Sequence, residues 1–300
     1  MLRLGHAALI LVICLGCGDD DLVLDDAGAL DSGPAPEDAG GSTGDDAGPR
    51  PPPFEGPTGL SEGCGSAATA GVEEESIDAA GMERTYLLAV PEEYDPAEGH
   101  ALIFVFHGAG DSARNMSRLQ FEAEAAGEAV VVYPQGLPVL AGSSGWLLED
   151  ETMDTAFFDT LLASMEERFC IDRARVFAAG FSYGGYFSNL LGCARGDVVR
   201  AIAPVAAAAP SVECRGQAAA WLAHGTADEV VPFGAGTTAR RRWSSRNGCA
   251  SEVDPATPTF CTSHVGCDEG YPVHFCDHDG GHTWPRWASA AIWEFFDGLP

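Results

Sequence analysis

Positive charge is scarce in this chain: over 300 residues, 16 Lys and Arg face 45 Asp and Glu, a formal net charge of −29. So acidic a surface repels phosphate backbones and anionic bilayers, which excludes nucleic acid and charged lipid surfaces as electrostatic partners. A membrane-spanning run is missing too. The apolar stretch at residues 7–15 is too short to cross a bilayer as a mature helix. Apolar residues are also thin over 18–60, where eleven acidic residues face the single Arg50. Such a segment cannot offset its ordering entropy and is expected to be a disordered spacer. Its Asp-Ala-Gly triplets at 26–28, 38–40 and 46–48 are low-complexity drift and not a repeat. Finally, no C-x-x-C pair occurs from Cys64 onward, which argues against a structural zinc site.

What is present begins with an export signal. Arg3 precedes the apolar stretch, which ends in Cys14-Leu15-Gly16-Cys17. That tetrad resembles a bacterial lipobox with Cys17 as the lipid acceptor, although Cys14 stands where Leu is usual. Residues 1–17 are therefore expected to be a lipoprotein-type signal segment, the alternative being an ordinary signal peptide cut nearby. A lipid on Cys17 would make the membrane a partner and the protein an extracytoplasmic, surface-anchored or secreted monomer. Cys64, Cys170, Cys193, Cys214, Cys249, Cys261, Cys267 and Cys276 remain, an even number behind an export signal, and predict four disulfides.

Residues 61–300 hold all six Trp and most of the Phe, enough for one large domain. Apolar runs predict strands over 84–90, 101–106, 129–133, 175–179, 201–206, 219–224, 257–265 and 272–276. Helices are expected over 116–126, 155–169 with Asp154 as N-cap, 184–193, 234–247 and 288–297. Strands alternating with helices imply an α/β fold, a mostly parallel central sheet with helices on both faces. Active sites of such sheets gather at the carboxyl ends of the strands.

Three G-x-S-x-G matches occur, centred on Ser42, Ser61 and Ser182. Only Gly180-Phe181-Ser182-Tyr183-Gly184 lies between an expected strand and an expected helix, the context of a nucleophile elbow. The sharp turn lifts the Ser182 hydroxyl clear of the surface. A neutral hydroxyl is a weak nucleophile and needs a base held by a carboxylate. In the chain order of α/β-hydrolases, Asp228 follows the strand 219–224 and supplies the acid. His282, after Gly280 and Gly281, supplies the base. Glu229, His278, His224 and His107 are read as neighbours with surface or structural roles. The oxyanion donors are expected at the N–H of Tyr183 and of Ala109, with Gly108 as the alternative. Trp146, Tyr183 and Trp284 form a candidate aromatic wall for substrate, with core or rim packing the competing role for the two Trp. No cofactor is needed. A non-catalytic surface binding protein and a peptidase are the competing classes.

Phe-Ser-Tyr-Gly-Gly at 181–185, His-Gly-Thr-Ala-Asp at 224–228 and Gly-Gly-His at 280–282 resemble the secreted feruloyl esterases of carbohydrate esterase family 1. These blend into the extracellular polyhydroxybutyrate depolymerases. The likeness extends to Glu-Gly-Cys-Gly at 62–65, Phe-His-Gly at 106–108, Gly145-Trp146 followed by 154–159, Arg-Asn-Gly-Cys at 246–249 and Gly-Cys-Asp-Glu-Gly-Tyr-Pro-Val at 266–273. The resemblance implies an α/β-hydrolase fold, a metal-free Ser-His-Asp mechanism, hydroxycinnamoyl esters of plant cell-wall polysaccharide as substrate, and a disulfide between Cys249 and Cys267. Acetylated xylan and short polyhydroxyalkanoates are the alternative substrates. Two departures stand out. Thr-Trp-Pro after His282 is closer to the depolymerase branch, and no separate polymer-binding domain accompanies the catalytic one.

Overall fold

Runs of apolar and β-branched residues that would be insoluble alone become the interior strands of a sheet covered on both faces. A computed structural model describes residues 56–140, 142–209 and 212–300, all within the compact unit Pro51–Pro300. The signal segment 1–17, the lipid acceptor Cys17, Ser42 and the spacer through residue 55 lie outside the described residues. The first strands are β1 (Gly71–Ala79), β2 (Met82–Val90), β3 (His100–Phe106) and β4 (Ala129–Pro134). A small hairpin of β5 (Leu137–Leu140) and β6 (Ser143–Gly145) follows. Then come β7 (Ile171–Phe181), β8 (Ala201–Val205), β9 (Ala219–Gly225), β10 (Val253–Ala256), β11 (Cys261–His264) and β12 (Val273–His278). The main sheet runs β1-β2-β4-β3-β7-β8-β9-β12-β11-β10. Its centre, from β4 to β12, is parallel, and antiparallel pairs flank it on each side.

The side-chain period of two splits each central strand between two cores. Leu102, Phe104 and Phe106 of β3 face one cluster with Phe157, Phe158, Phe187 and Trp243. Ala101, Ile103 and Val105 face the other, with Met116, Phe121, Ile292 and Phe296. The helices divide accordingly. The first face holds α3 (Met153–Arg168), α4 (Tyr183–Ala194) and α5 (Phe233–Arg246), and the second holds the short α1 (Ala113–Met116) and α2 (Phe121–Glu124) with α6 (Ala288–Asp297). Each large side chain so buried contributes roughly 1.5–3 kcal/mol.

Among the described residues four disulfides join Cys64 to Cys170, Cys193 to Cys214, Cys249 to Cys267 and Cys261 to Cys276. The count and the pairing of Cys249 with Cys267 match expectation. The first closes a separation of 106 residues and constrains the unfolded chain most, by about 4–5 kcal/mol on the chain-entropy model.

Several expectations are corrected. The helix expected over 116–126 breaks into α1, a 3₁₀ turn and α2, because Gln120 takes a left-handed φ of 51°. Asp154 is not an N-cap; that position falls to Thr152. Its carboxylate is drawn inward instead, where Arg84 donates to Oδ1 at 2.8 Å and the Leu147 N–H to Oδ2 at 2.7 Å. Of the strand expected over 257–265 only β11 forms; residues 257–260 are the turn that joins it to β10, a strand the apolar pattern did not mark. The spacer expected to reach residue 60 is already tied to the sheet there, since Leu60 bridges Asp172 and Gly59 accepts from the Arg173 N–H. Ser61 is buried, its hydroxyl donating to the Phe169 carbonyl and accepting from the Ile171 N–H, so that G-x-S-x-G match has a structural use.

Candidate active site

Register brings the functional loops to one end of the sheet. Phe106 pairs with Gly180, Phe181 with Val205, and His278 with Gly225, so β3, β7, β9 and β12 all deliver their next residues together. Ser182 sits at the turn from β7 into α4 with φ 51° and ψ −117°, a strained conformation for a residue with a side chain. Its N–H is held by the Val205 carbonyl at 2.9 Å. The crossing is possible because a β-carbon on Gly184 would lie 2.1 Å from the Phe106 oxygen.

The other two triad candidates meet across the sheet. His282 Nδ1 donates to Asp228 Oδ2 at 2.8 Å, with side-chain exposures of 17 % and 0 %. Asp228 Oδ1 accepts the N–H groups of Val230 at 2.9 Å and Val231 at 2.8 Å. Burial alone would raise the Asp228 carboxyl, but the His282, Val231 and Val230 bonds outweigh it and hold the group below the ordinary aspartate range. With Nδ1 committed, Nε2 is the nitrogen of His282 left to take a proton. The ring of Phe181, the residue before the nucleophile, lies 4.9 Å from the His282 ring. No hydrogen bond joins His282 Nε2 to Ser182 Oγ among the described residues. Such bonds tighten when substrate arrives.

The acid and base loops are zipped along their backbones. Thr226 N–H donates to the His278 carbonyl at 2.8 Å and Ala227 N–H to the Gly280 carbonyl at 3.1 Å. A β-carbon on Gly225 would lie 2.2 Å from the Gly280 oxygen, so the strands' ends approach closer than any side chain permits. His224 is buried and structural, as expected, its Nε2 bonding the Val231 carbonyl at 2.8 Å. His278 Nδ1 accepts from the Gly280 N–H at 3.1 Å. Glu229 is exposed.

Opposite lies the loop 107–113. It hangs from the β5–β6 hairpin: Gly110 N–H donates to the Ser144 carbonyl at 2.8 Å, Ser144 Oγ to the Asp111 carbonyl at 2.5 Å, and Ala113 N–H to Gln135 Oε1 at 3.0 Å. The base of the hairpin is clamped by the buried pair Arg84–Asp154, whose side chains are 2 % and 0 % exposed. Arg84 reaches the Gln135 carbonyl on one side, and Asp154 takes the Leu147 N–H on the other. The amides of Ala109 and Tyr183 donate to no protein acceptor among the described residues.

The aromatic wall expected from Trp146, Tyr183 and Trp284 does not form. Trp146 is 1 % exposed, stacked 5.2 Å from Phe187, with its Nε1–H donating to the His107 carbonyl at 2.9 Å. An indole that fills the core offers no face to substrate. Trp284 is half-buried on the other face of the sheet, edge-on to Phe121 and bonded to Ser289. Tyr183 instead pairs with Tyr186, ring centroids 6.1 Å apart. Sequence reasoning missed Tyr186, although its position one turn after Ser182 on the same helix was a usable signal. Burial pushes its phenol up, as does the charge of Asp228, while a backbone hydrogen bond at Ala208 opposes them.

Among the described residues no group of His, Cys, Asp and Glu has the arrangement of a metal site. No protein-family model matches the chain. Curated relatives do. Feruloyl esterase C of Emericella nidulans is 34% identical over 258 residues, covering 79% of this chain and 90% of the relative. Feruloyl esterase D of Neurospora crassa is 31% identical over 265 residues, covering 79% and 89%. Among solved structures, an acetyl xylan esterase from Aspergillus awamori superposes with a TM-score of 0.61 at 12% identity, covering 75% of this chain and 99% of that one. A CE1 ferulic acid esterase from Anaeromyces mucronatus, in complex with ferulic acid, gives 0.52 at 17% identity, covering 76% and 90%. At such identities the structures speak for the fold alone, an α/β-hydrolase.

Proposed function

Because the chain belongs to the feruloyl esterase family, we propose that it hydrolyses hydroxycinnamoyl esters of plant cell-wall polysaccharide by acyl transfer through Ser182, His282 and Asp228. The observation that carries this reading is the Asp228–His282 hydrogen bond of 2.8 Å beside the strained turn that presents Ser182. Ser182 Oγ attacks the ester carbonyl while His282 Nε2 takes its proton. Asp228 holds the imidazole in the right tautomer and stabilises its charged form. The Tyr183 and Ala109 N–H groups receive the oxyanion, and the sugar alcohol leaves with the proton from His282. Water then repeats the sequence to release the acid. We assign Tyr183 and Tyr186, neighbours on the helix that follows Ser182, to meet the aromatic acyl group.

The export reading is proposed alongside: a signal segment at 1–17, lipid on Cys17, a spacer from residue 18 that ends before Gly59, and a monomeric catalytic domain held at the cell surface. Four disulfides support an oxidising compartment. Intact-mass analysis of the membrane fraction tests it, an unacylated Cys17 being the result that rejects the anchor.

The deciding experiment is acid release from methyl ferulate by the wild type beside Ser182→Ala. Hydrolysis that falls at least ~10³-fold in the variant is the expected result. Ser182-dependent cleavage of acetyl or 3-hydroxybutyrate esters without cleavage of ferulate would move the substrate to acetylated xylan or polyhydroxyalkanoate.

A further inference from the structure

One buried imidazole beside the nucleophile has a use that the acyl-transfer steps leave open. His107 is fully buried, and its Nδ1 lies 2.8 Å from the Gly108 carbonyl oxygen. The tautomer follows from the far side of the ring. Nε2 accepts from the Gly136 N–H at 2.9 Å and lies 3.2 Å from the Gln135 amide nitrogen, so the proton sits on Nδ1 and is donated to Gly108. Burial pushes the pKa of His107 down, against the opposing charges of Asp111 and Asp154, and the ring stays neutral. A second donor, the Asp111 N–H, reaches the same carbonyl at 3.2 Å.

The consequence lies in the geometry of one peptide. The bond between Gly108 and Ala109 is trans, so its C=O and its N–H point in opposite directions. Holding the carbonyl on His107 aims the Ala109 N–H the other way. That N–H has no protein acceptor among the described residues, and the loop is against the nucleophile: a β-carbon on Gly108 would lie 3.5 Å from Ser182 Cβ.

We propose that His107 is the positioning residue of the oxyanion hole, its Nδ1–H fixing the Gly108 carbonyl so that the Ala109 N–H is preset toward the oxygen of the reacting ester. The proposal rests on the acyl-transfer reading of Ser182. A donor oriented before charge develops needs no reorganisation in the transition state, and losing one such donor lowers kcat by about 10²–10³-fold. The ground-state carbonyl carries less charge, so KM is expected to move little.

The test uses the purified protein as wild type, His107→Asn and His107→Gln. Kinetics are read on methyl ferulate and 4-nitrophenyl acetate, with the affinity for an arylboronic acid that forms a tetrahedral adduct on serine. An Asn amide nitrogen takes the place of Nδ1 and keeps a donor near Gly108, whereas that of Gln takes the place of Nε2 and loses it. The expected result is a kcat down ~100-fold in His107→Gln with KM within about threefold and boronate affinity weakened in step, while His107→Asn stays within about tenfold of wild type. Equal losses in both variants, wild-type kcat in the Gln variant, or a change confined to KM would overturn the proposal. Should His107→Gln fail to fold, His107→Asn decides alone. A folded Asn variant within tenfold of wild type supports the proposal; one down a hundredfold, or one that also fails to fold, makes the ring merely structural. Wild type that cleaves the acetate but not the ferulate refutes the substrate and leaves this comparison readable on the acetate. Ser182→Ala that keeps activity on both refutes acyl transfer at Ser182, and the inference with it.

Discussion

On the base side of Ser182, the loops 225–231 and 278–282 hold each other through main-chain hydrogen bonds and a glycine contact, with the Asp228–His282 pair set on top. On the oxyanion side, one main-chain bond from Gly110 to Ser144 is joined by side-chain supports from beneath, through the hairpin and the buried Arg84–Asp154 pair. One side keeps its carboxylate–imidazole pair where the chemistry is done. The other keeps its charged pair inside, where it shapes backbone and never meets substrate. Substitutions on the two sides should therefore separate activity from stability.

The largest effect is expected from Asp228→Asn. It leaves the base-side backbone intact but offers His282 the wrong partner, and kcat should fall ~10³–10⁴-fold with a far smaller loss of melting temperature than Asp154→Asn shows. A variant that loses stability in proportion to activity would erase the contrast. The reverse is expected of Asp154→Asn. Removing one member of a buried ion pair strands Arg84 without its counter-charge, at about 3–5 kcal/mol. Denaturant unfolding should show that loss, while kcat of the still-folded fraction in the cold stays within about tenfold. Gly225→Ala comes next: its β-carbon must displace the Gly280 carbonyl and with it the loop of His282. Misplacement on the ångström scale reduces kcat by about 10–100-fold, and kinetics at saturating ester would expose it.

The comparison also explains what the sequence made legible. The base side was readable because its residues follow short apolar runs, 219–224 and 272–276, that must end at the same edge of a parallel sheet. The oxyanion side was only half readable. Phe-His-Gly marked the loop, but the hairpin beneath it is two strands of four and three residues, too short to show alternation. Asp154 looked like a cap because Asp before a helical stretch usually is one; no local pattern announces a partner 70 residues away at Arg84. Trp146 was misplaced for the same reason, since an aromatic in a loop looks exposed until Phe106 and Phe187 are seen around it. The edge strand β1 was missed because Gly-Val-Glu-Glu-Glu-Ser-Ile-Asp-Ala is mostly exposed and charged, which suits a strand that must resist pairing with another molecule.

The finest distinction between the two sides is one of pH. Asp228 on the base side and His107 on the oxyanion side both titrate below their ordinary values in the folded protein. A group whose pKa is lower folded than unfolded adds stability above its unfolded value, and loses it as pH falls through the folded one. For His107 the loss begins at about pH 6.5, where an unfolded imidazole takes a proton that the buried ring refuses. For Asp228 it begins only near pH 4, where the unfolded carboxylate starts to protonate. Urea midpoints followed from pH 8 to pH 3 should therefore show wild type and His107→Asn diverging in slope first, just below pH 6.5, and wild type and Asp228→Asn only at the acid end. Parallel curves for all three would mean that neither group feels its loop differently on folding, and the two sides would then be distinguished by geometry alone.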